Sequence, residues 1–305
     1  MKRIIAFISI LSISLTVFGI NPDTVYRYRP EQYGLIFKEF KVKTEDNFLI
    51  NVWFYPVQEA IPEDSILSHY WTNPIKKPYI AKQWNTPTII ICDGDAGNMG
   101  ASISLALFLT KAGFNVVTFD WRGFGKSQAW NYGENIVEPF FLTDYNAVLD
   151  TILTFPEVNT SQIGAYSVST GSYITMLQCA KRKEIKAVVL RGTFTNYQEA
   201  TTVLNNNIYH NPQLLLYHPL FDTPEYDVWD LAPSITKPVF FIVGEHDIRT
   251  PPEMSIRLMG RINSNVRQLW IVEGAEHGGY LAPEIVKWEE FQERFITFFR
   301  QNLQE

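Results

Sequence analysis

Six short runs of mostly apolar residues lie between residues 88 and 272 of the chain. They are Thr88–Cys92, Val116–Phe119, Ile163–Tyr166, Ala187–Leu190, Val239–Val243 and Leu269–Val272. Runs that are apolar on both faces are typical of parallel strands covered by helices on both sides. Apolar residues at helical spacing fill two of the intervals, over Ser102–Ala112 and Pro139–Phe155, and follow the last run over Glu284–Leu303. Because strands and helices alternate, the pattern predicts an α/β fold with a doubly wound, mostly parallel sheet.

The last predicted helix carries an apolar stripe at helical spacing, formed by Ile285, Trp288, Phe291, Phe295 and Phe298. Charged residues lie between these positions, which is typical of a helix with one face on the core. We therefore interpret the aromatic stripe as core and not as a cofactor site.

The N-terminal part of the chain has a different period. Apolar and polar residues alternate over Leu35–Lys43 and again over Phe48–Val57, with Asp46 and Asn47 between them. This pattern predicts an antiparallel hairpin at one edge of the sheet. Residues 20–33 are polar and aromatic, and we expect an extended lead-in there.

Two stretches interrupt the regular pattern. Residues 58–86 contain prolines and scattered aromatic residues, and predict a long loop that either forms a pocket wall or covers the sheet edge. Residues 195–233 contain an Asn triplet, two His and four Pro, and separate the sixth and seventh predicted strands, Ala187–Leu190 and Val239–Val243. A connection of this length is a candidate lid, with an irregular surface connection as the alternative. Residues 20–305 are expected to form one domain.

Residues 1–19 have the features of a signal peptide. Met1, Lys2 and Arg3 form a basic start, Ile4–Phe18 is apolar, and the stretch ends in Gly19. We expect cleavage after this segment and export of the protein to the periplasm or the medium, with no stable membrane span remaining. An uncleaved segment that anchors the protein in the membrane is the alternative.

The composition is that of a globular protein with a large core, at 46% hydrophobic and 19% charged residues. The net charge of −6 and the lack of a basic block give no support for nucleic-acid binding. Cys92 and Cys179 are the two cysteines, and we favour two separate buried thiols over a disulfide. No metal-ligand cluster or phosphate-binding loop is evident, so no cofactor is expected.

A candidate nucleophile follows the third apolar run. The stretch from Ser167 to Gly171 fits the nucleophile elbow G-x-S-x-G, except that Ser167 replaces the first glycine. Ser169 is then the apex of a turn between a strand and a helix. The backbone N–H of Thr170 would face an oxyanion that forms there.

A nucleophilic serine needs a base, and the base needs an acid that orients it. In folds with a nucleophile elbow, the acid comes after the serine in the sequence, and the histidine comes after the acid. Asp247 follows one apolar run and His277 follows the next, in that order. Glu245 and Glu276 are weaker acid candidates on the same two loops, and we expect His246 to point away from the site.

Four motifs together resemble the α/β-hydrolase superfamily, in particular its serine aminopeptidase and monoacylglycerol-lipase-like branch. Residues 120–127 are similar to its D-x-R-G-x-G-x-S turn, 238–247 to its acid-bearing strand, 274–277 to its G-x-x-H loop and 93–98 to its H-G-N-A-G-N oxyanion loop. The resemblance implies a triad of Ser169, Asp247 and His277. It also implies an oxyanion hole formed by the N–H groups of Asp95 and Thr170.

Two departures from that family bear on activity: Ser167 in the elbow, and two carboxylates in the oxyanion loop. Asp93 stands where the family has histidine, and Asp95 replaces a neutral residue. A carboxylate beside a developing oxyanion opposes it electrostatically. The sequence favours an exported serine hydrolase that acts on a small-molecule ester or, alternatively, on an amide or peptide. A catalytically weak or inactive binding protein with the same fold is the rival hypothesis.

Overall fold

A computed structural model describes residues 20–60, 79–81, 85–130, 138–211 and 219–303. The predicted signal segment 1–19 lies outside these residues, as do parts of the loop 58–86 and of the candidate lid 195–233. Export and lid function therefore stay predictions.

An eight-stranded sheet forms the centre of the fold. Its strands are β2 (Lys38–Lys43), β3 (Leu49–Tyr55), β6 (Thr86–Cys92), β8 (Asn115–Phe119), β9 (Val158–Val168), β10 (Ile185–Arg191), β11 (Val239–Gly244) and β12 (Arg267–Val272). They lie in the order β12-β11-β10-β9-β6-β8-β3-β2. The six strands from β12 to β8 pair in parallel, whereas β3 and β2 are antiparallel to their neighbours. The predicted mostly parallel sheet with an antiparallel edge hairpin is confirmed.

Helices cover both faces of this sheet. They are α1 (Ile103–Lys111), α2 (Glu138–Ile152), α3 (Thr170–Lys181), α4 (Tyr197–Leu204), α5 (Val228–Leu231), α6 (Pro252–Arg261), α7 (Pro283–Val286) and α8 (Trp288–Asn302). One core layer packs α2, α3 and α6 against the sheet, and the other packs α1 and α8. Alternate residues of β6 divide between them, since Ile90 and Cys92 belong to the first layer and Ile89 and Ile91 to the second.

Two smaller strand pairings and one short helix were not predicted. Within the expected loop 58–86, β4 (Gln58–Ala60) pairs with β5 (Tyr79–Ala81) as an antiparallel ribbon. Within the lead-in, β1 (Asn21–Pro22) pairs in parallel with β7 (Ala96–Gly97). The lead-in also contains a short 3-10 helix over Pro30–Tyr33, so it is only partly extended. These pieces are too short for a sequence pattern to distinguish from loops.

The prediction of one final helix is wrong at its start. Lys287, with φ −129° and ψ 51°, separates α7 from α8. Phe291, Phe295 and Phe298 are buried as expected, but Ile285 is 58% exposed and Trp288 37% exposed. The physical reason lies in α7, because its Glu284 forms an ion pair with Arg191 of β10. If α7 and α8 formed one continuous helix, Ile285 and Trp288 would face the core with the rest of the apolar stripe, and Glu284 would not reach Arg191.

The two cysteines are buried and free, as favoured from the sequence. Within the described ranges, no helix is both long enough and apolar enough to cross a bilayer.

Candidate active site

A cavity of about 710 Å³ opens where the parallel strands end. Residues that directly follow or end five strands line it or adjoin it, which is the position where open α/β sheets bind ligands. They are Asp93 and Asp95 after β6, Ser169 after β9, Arg191 at the end of β10, Asp247 after β11 and His277 after β12.

Ser169 lies in a strained turn between β9 and α3. Its φ of 54° and ψ of −123° place it outside the regions that an L-residue ordinarily adopts. The neighbouring positions must be small, because a Cβ on Gly171 would lie 2.3 Å from the carbonyl oxygen of Cys92. Ser167, which replaces a glycine of the motif, is fully buried, and its hydroxyl lies 2.6 Å from that of Thr175. The elbow therefore accommodates Ser167 with its hydroxyl paired.

The imidazole of His277 lies between the other two predicted side chains. Its Nε2 is 3.0 Å from Oγ of Ser169, and its Nδ1 is 2.7 Å from Oδ2 of Asp247. Ser169 is 108 positions from His277 in the sequence, and Asp247 is 30 positions from it. Both distances are within hydrogen-bonding range. The three side chains therefore form one continuous chain of contacts.

Asp247 is buried and held by several donors. The N–H groups of Arg249 and Thr250 donate to its Oδ1 at 2.9 and 2.8 Å, and the Thr250 hydroxyl donates to Oδ2 at 2.9 Å. Burial raises the pKa of Asp247, but the hydrogen bonds from His277 and Thr250 outweigh it and hold the pKa below its ordinary value. The carboxylate is therefore ionised and accepts hydrogen bonds only.

That charge state determines the roles of the two imidazole nitrogens. Because ionised Asp247 can only accept, Nδ1 of His277 must carry the proton that lies between them. In the neutral ring Nε2 is then the acceptor, and it faces the hydroxyl of Ser169. This is the tautomer in which a histidine can accept a proton from serine.

The predicted oxyanion donors adjoin Ser169. Thr170 is the first residue of α3, where backbone N–H groups have no partner within the helix. The Thr170 hydroxyl donates to Oδ2 of Asp95 at 3.1 Å, and the Asp95 carbonyl accepts the N–H of Asn21 at 2.8 Å. Burial raises the pKa of Asp95, opposed by hydrogen bonds from the Thr170 hydroxyl and from its own N–H. The Asp95 carboxylate therefore lies beside the residue that follows Ser169.

Asp93 lies behind this loop. The hydroxyl of Ser102 is 2.9 Å from both of its carboxylate oxygens, and its carbonyl accepts the indole N–H of Trp121 at 3.1 Å. Burial raises the pKa of Asp93 to about 6, although the Ser102 hydroxyl opposes the shift. The hydrogen bonds fix Asp93 as part of the cavity wall.

The weaker acid candidates are not among the side chains that contact the His277 ring, which are Thr250, Asp247 and Ser169. Glu245 accepts the N–H of Gly274 at 3.0 Å, and Glu276 is exposed. His246 is largely exposed and lies 3.6 Å from Glu245. Thr250, Arg191 and Glu284 were not predicted as site residues. Of these three, only Thr250 could have been identified from the local sequence, because it lies three residues after Asp247 and can hydrogen-bond to the Asp247 carboxylate within one turn.

Within the part of the chain that the structure describes, no group of three or more His, Cys, Asp or Glu residues is arranged to hold a metal ion.

Comparison with known proteins identifies the chain's relatives. A family model described as serine aminopeptidase, S33, matches residues 85–217. An uncharacterized protein of Mycobacterium tuberculosis is 27% identical over 200 residues, which are 66% of this chain and 65% of that relative. The lysophosphatidylserine lipase ABHD12 of Rattus norvegicus is 28% identical over 180 residues, 56% of this chain and 42% of the lipase. The alignments thus span less than two thirds of the length of these relatives.

A solved structure extends the likeness to almost the whole chain. The esterase Pf2001 of Pyrococcus furiosus superposes with a TM-score of 0.70 at 21% identity, covering 94% of this chain and 99% of the esterase. At this identity the likeness concerns the fold. The sheet order, the elbow at the end of β9 and the match of residues 85–217 agree with one another. The chain therefore has the α/β-hydrolase fold, and its residues 85–217 are similar to the serine aminopeptidase S33 family.

Proposed function

We propose that this protein is a serine hydrolase that cleaves a small-molecule ester through an acyl-enzyme on Ser169. One observation supports this most: the Oγ of Ser169, the ring of His277 and the carboxylate of Asp247 form an unbroken hydrogen-bonding chain. Ser169, at one end of this series of hydrogen bonds, lines a cavity large enough for a drug-sized ligand.

The proposed reaction proceeds in two halves. In the first, Oγ of Ser169 attacks the ester carbonyl carbon while Nε2 of His277 takes the hydroxyl proton. The tetrahedral intermediate collapses, the C–O bond to the alcohol breaks, and His277 gives its proton to the leaving alkoxide oxygen. In the second, a water molecule loses a proton to His277 and attacks the acyl carbon, and the proton returns to Ser169 as the acid departs. Asp247 holds the ring and stabilises its protonated form.

The oxyanion of each intermediate is proposed to accept hydrogen bonds from the N–H groups of Thr170 and Asp95. The first is a free donor at a helix start, which favours negative charge. The second lies beside its own carboxylate, which opposes the same charge. We therefore expect a slower enzyme than one with a neutral residue at position 95.

The cavity walls favour a substrate with an apolar part. Leu105, Ile285 and Trp288 line one part of the wall, and Phe194 and Leu204 line another. The related Pyrococcus protein is described as an esterase and the related rat protein as a lipase, which supports ester cleavage. The family model is named for a serine aminopeptidase, so amide or peptide cleavage is the second candidate.

From the apolar stretch of residues 4–18, we further propose that the protein is exported.

A fluorophosphonate probe, which phosphonylates activated serines with loss of fluoride, tests the proposal directly. We expect stoichiometric labelling of Ser169 in the wild type and none in Ser169→Ala. Ser104→Ala is the matched control, since Ser104 is an exposed serine of the same cavity. A folded wild-type protein without label at Ser169 would favour the binding-protein hypothesis.

Turnover separates the substrate classes. Aryl esters from acetyl to long-chain acyl, assayed beside aminoacyl amides, give the preferred leaving group and acyl length. Ser169→Ala should abolish turnover and change the free energy of unfolding by no more than about 1 kcal/mol. Amide turnover that exceeds ester turnover would replace the esterase proposal by the peptidase.

A further inference from the structure

Arg191 contacts the loops of two triad residues at once. It ends β10 and is buried, and its carbonyl oxygen accepts the N–H of Ser169 at 2.8 Å. The same oxygen accepts the hydroxyl of Ser172, in the first turn of α3, at 3.1 Å. The carbonyl group of Arg191 therefore holds the elbow through hydrogen bonds to Ser169 and Ser172.

The side chain of Arg191 reaches the histidine loop. Its Nη1 donates to the backbone carbonyl of His277, 86 residues along the chain. Its Nε lies 3.2 Å from the Tyr166 hydroxyl and 3.2 Å from Oε2 of Glu284. Burial alone would lower the pKa of Arg191, but Glu284 and Tyr166 raise it above its ordinary value, so the guanidinium is charged.

The histidine loop needs such an anchor because of its backbone. Gly274 and Gly279 adopt positive φ angles of 69° and 68°, and Gly278 directly follows His277. Backbone hydrogen bonds hold Ala275 and Glu276, whereas His277 is followed by two glycines, which give the backbone more freedom than other residues, so the carbonyl end of His277 is the less restricted part of this loop. A charge-assisted hydrogen bond to the His277 carbonyl restricts it, because such bonds are stronger than neutral ones.

We propose that Arg191 is a positioning residue that holds His277 in line with Ser169, and that Glu284 holds the guanidinium in place. The catalytic consequence rests on the proposed hydrolase function, whereas the restraint on His277 does not. Arg191 touches no reacting atom in this arrangement. It acts through the backbone of the two residues between which the proton moves.

Two substitutions test the restraint. Arg191→Met removes the guanidinium and retains an unbranched chain of similar length. Arg191→Lys keeps the positive charge but lacks the planar fork that contacts the His277 carbonyl and Glu284 together. We expect Arg191→Met to lower kcat for an aryl ester about 10-fold to 100-fold with KM within about twofold, since small misplacements of reacting groups cost this much. Arg191→Lys should recover part of the loss.

A spectroscopic readout does not depend on turnover. In protein labelled with ¹⁵N-histidine, the His277 Nδ1–H proton that bonds to Asp247 gives a low-field resonance, assigned by its loss in His277→Gln. We expect this resonance to broaden or move upfield in Arg191→Met and less so in Arg191→Lys. Arg182→Met is the matched control, because Arg182 also forms ion pairs, with Asp150 and Glu184, but does not line the cavity.

The outcomes are distinguishable. A folded Arg191→Met with wild-type kcat and an unchanged His277 resonance overturns the positioning role. If Arg191→Met does not fold, Arg191→Lys decides: wild-type values in both readouts overturn the proposal, and partial loss in both supports it. If the wild type hydrolyses no ester and no amide, the proposed function fails, and the resonance alone decides whether Arg191 holds His277.

Discussion

At the scale of single residues, two carboxylates set the electrostatics of the cavity wall beside Ser169. Asp93 and Asp95 are both partly buried, and burial raises the pKa of each. They differ in their neighbours, since Asp93 accepts from Ser102 and Asp95 from Thr170, beside the nucleophile. We therefore expect substitution of the first to change stability and substitution of the second to change catalysis.

Asp93→Asn should stabilise the protein above pH 6. The pKa of Asp93 rises from 3.8 to about 6 in the folded state, so the folded state binds more protons between these values. Its contribution to stability is therefore highest at low pH and falls as the pH rises through that window. Because a shift of this size corresponds to at most about 3 kcal/mol, Asp93→Asn should raise the free energy of unfolding by about 1–3 kcal/mol at pH 7.5. Urea unfolding at pH 7.5, 5.5 and 4.5 should show the difference shrinking, and a pH-independent difference would contradict the assignment.

Asp95→Asn should raise kcat. The substitution removes a negative charge next to the proposed oxyanion and leaves the backbone N–H in place. A gain of about 1 kcal/mol in the transition state corresponds to about a fivefold increase. Kinetics on an aryl ester check this, with Asp23→Asn as the control, because Asp23 has the same charge and lies on the adjoining lead-in. Equal effects of the two substitutions would indicate a general charge effect.

At the scale of secondary structure, the start of α3 is packed so closely on the end of β6 that only glycine fits. A Cβ at position 171 would lie 2.3 and 2.4 Å from the carbonyl oxygens of Cys92 and Asp93, both backbone atoms that a side-chain movement cannot displace. This close approach sets the distance between the helix start and the loop that carries Asp95.

Gly171→Ala should therefore destabilise the fold by about 3 kcal/mol, at the upper end of overpacking costs. Gly260→Ala makes the same chemical change within α6, where nothing lies within 4 Å of the new Cβ. There the alanine should stabilise the protein by about 0.5 kcal/mol through helix propensity. Urea unfolding of the two variants should give effects of opposite sign, and similar values would contradict the packing argument.

The parallel strands could be predicted from the sequence because strands that are buried on both faces leave uninterrupted apolar runs. The break at Lys287 could not, because Ile285 and Trp288 continue the periodicity of α8. The ion pair that holds α7 on the sheet joins Glu284 to Arg191, which is distant in sequence. Local patterns carry no information about such a partner.

The candidate site was predictable to the same extent. Ser169, Asp247 and His277 each follow a recognisable strand, so their residue types and order were informative. Arg191 was not identified, because its role depends on the His277 backbone and on Tyr166, contacts that no motif encodes.

At the scale of the whole molecule, the N-terminal lead-in is bound to the sheet through Tyr26. The Tyr26 hydroxyl donates to Oδ2 of Asp120, 94 residues away, and accepts from the side chain of Asn51 at 2.9 Å and the N–H of Lys126 at 3.2 Å. Burial raises the pKa of Asp120 to about 6. The loss of the Tyr26 donor would leave that buried carboxylate with fewer partners.

Tyr26→Phe should lower the free energy of unfolding by about 1–3 kcal/mol, the range for the loss of a hydrogen bond to a charged group. Tyr28→Phe is the control, since Tyr28 is 55% exposed and the same hydroxyl is lost. Thermal or urea unfolding gives the difference, and limited proteolysis shows whether cleavage in residues 20–29 becomes faster. Equal stabilities of the two variants would show that the Tyr26–Asp120 contact contributes nothing.

The pairing of β1 with β7 makes a reporter of substrate binding possible. Asn21 is exposed and lines the cavity, and its backbone N–H donates to the Asp95 carbonyl beside that pairing. Cys92 and Cys179 are both buried, so a thiol-reactive dye would find its accessible sulfur in Asn21→Cys. The emission of that dye would follow ligands as they enter, including those that the protein binds but never cleaves.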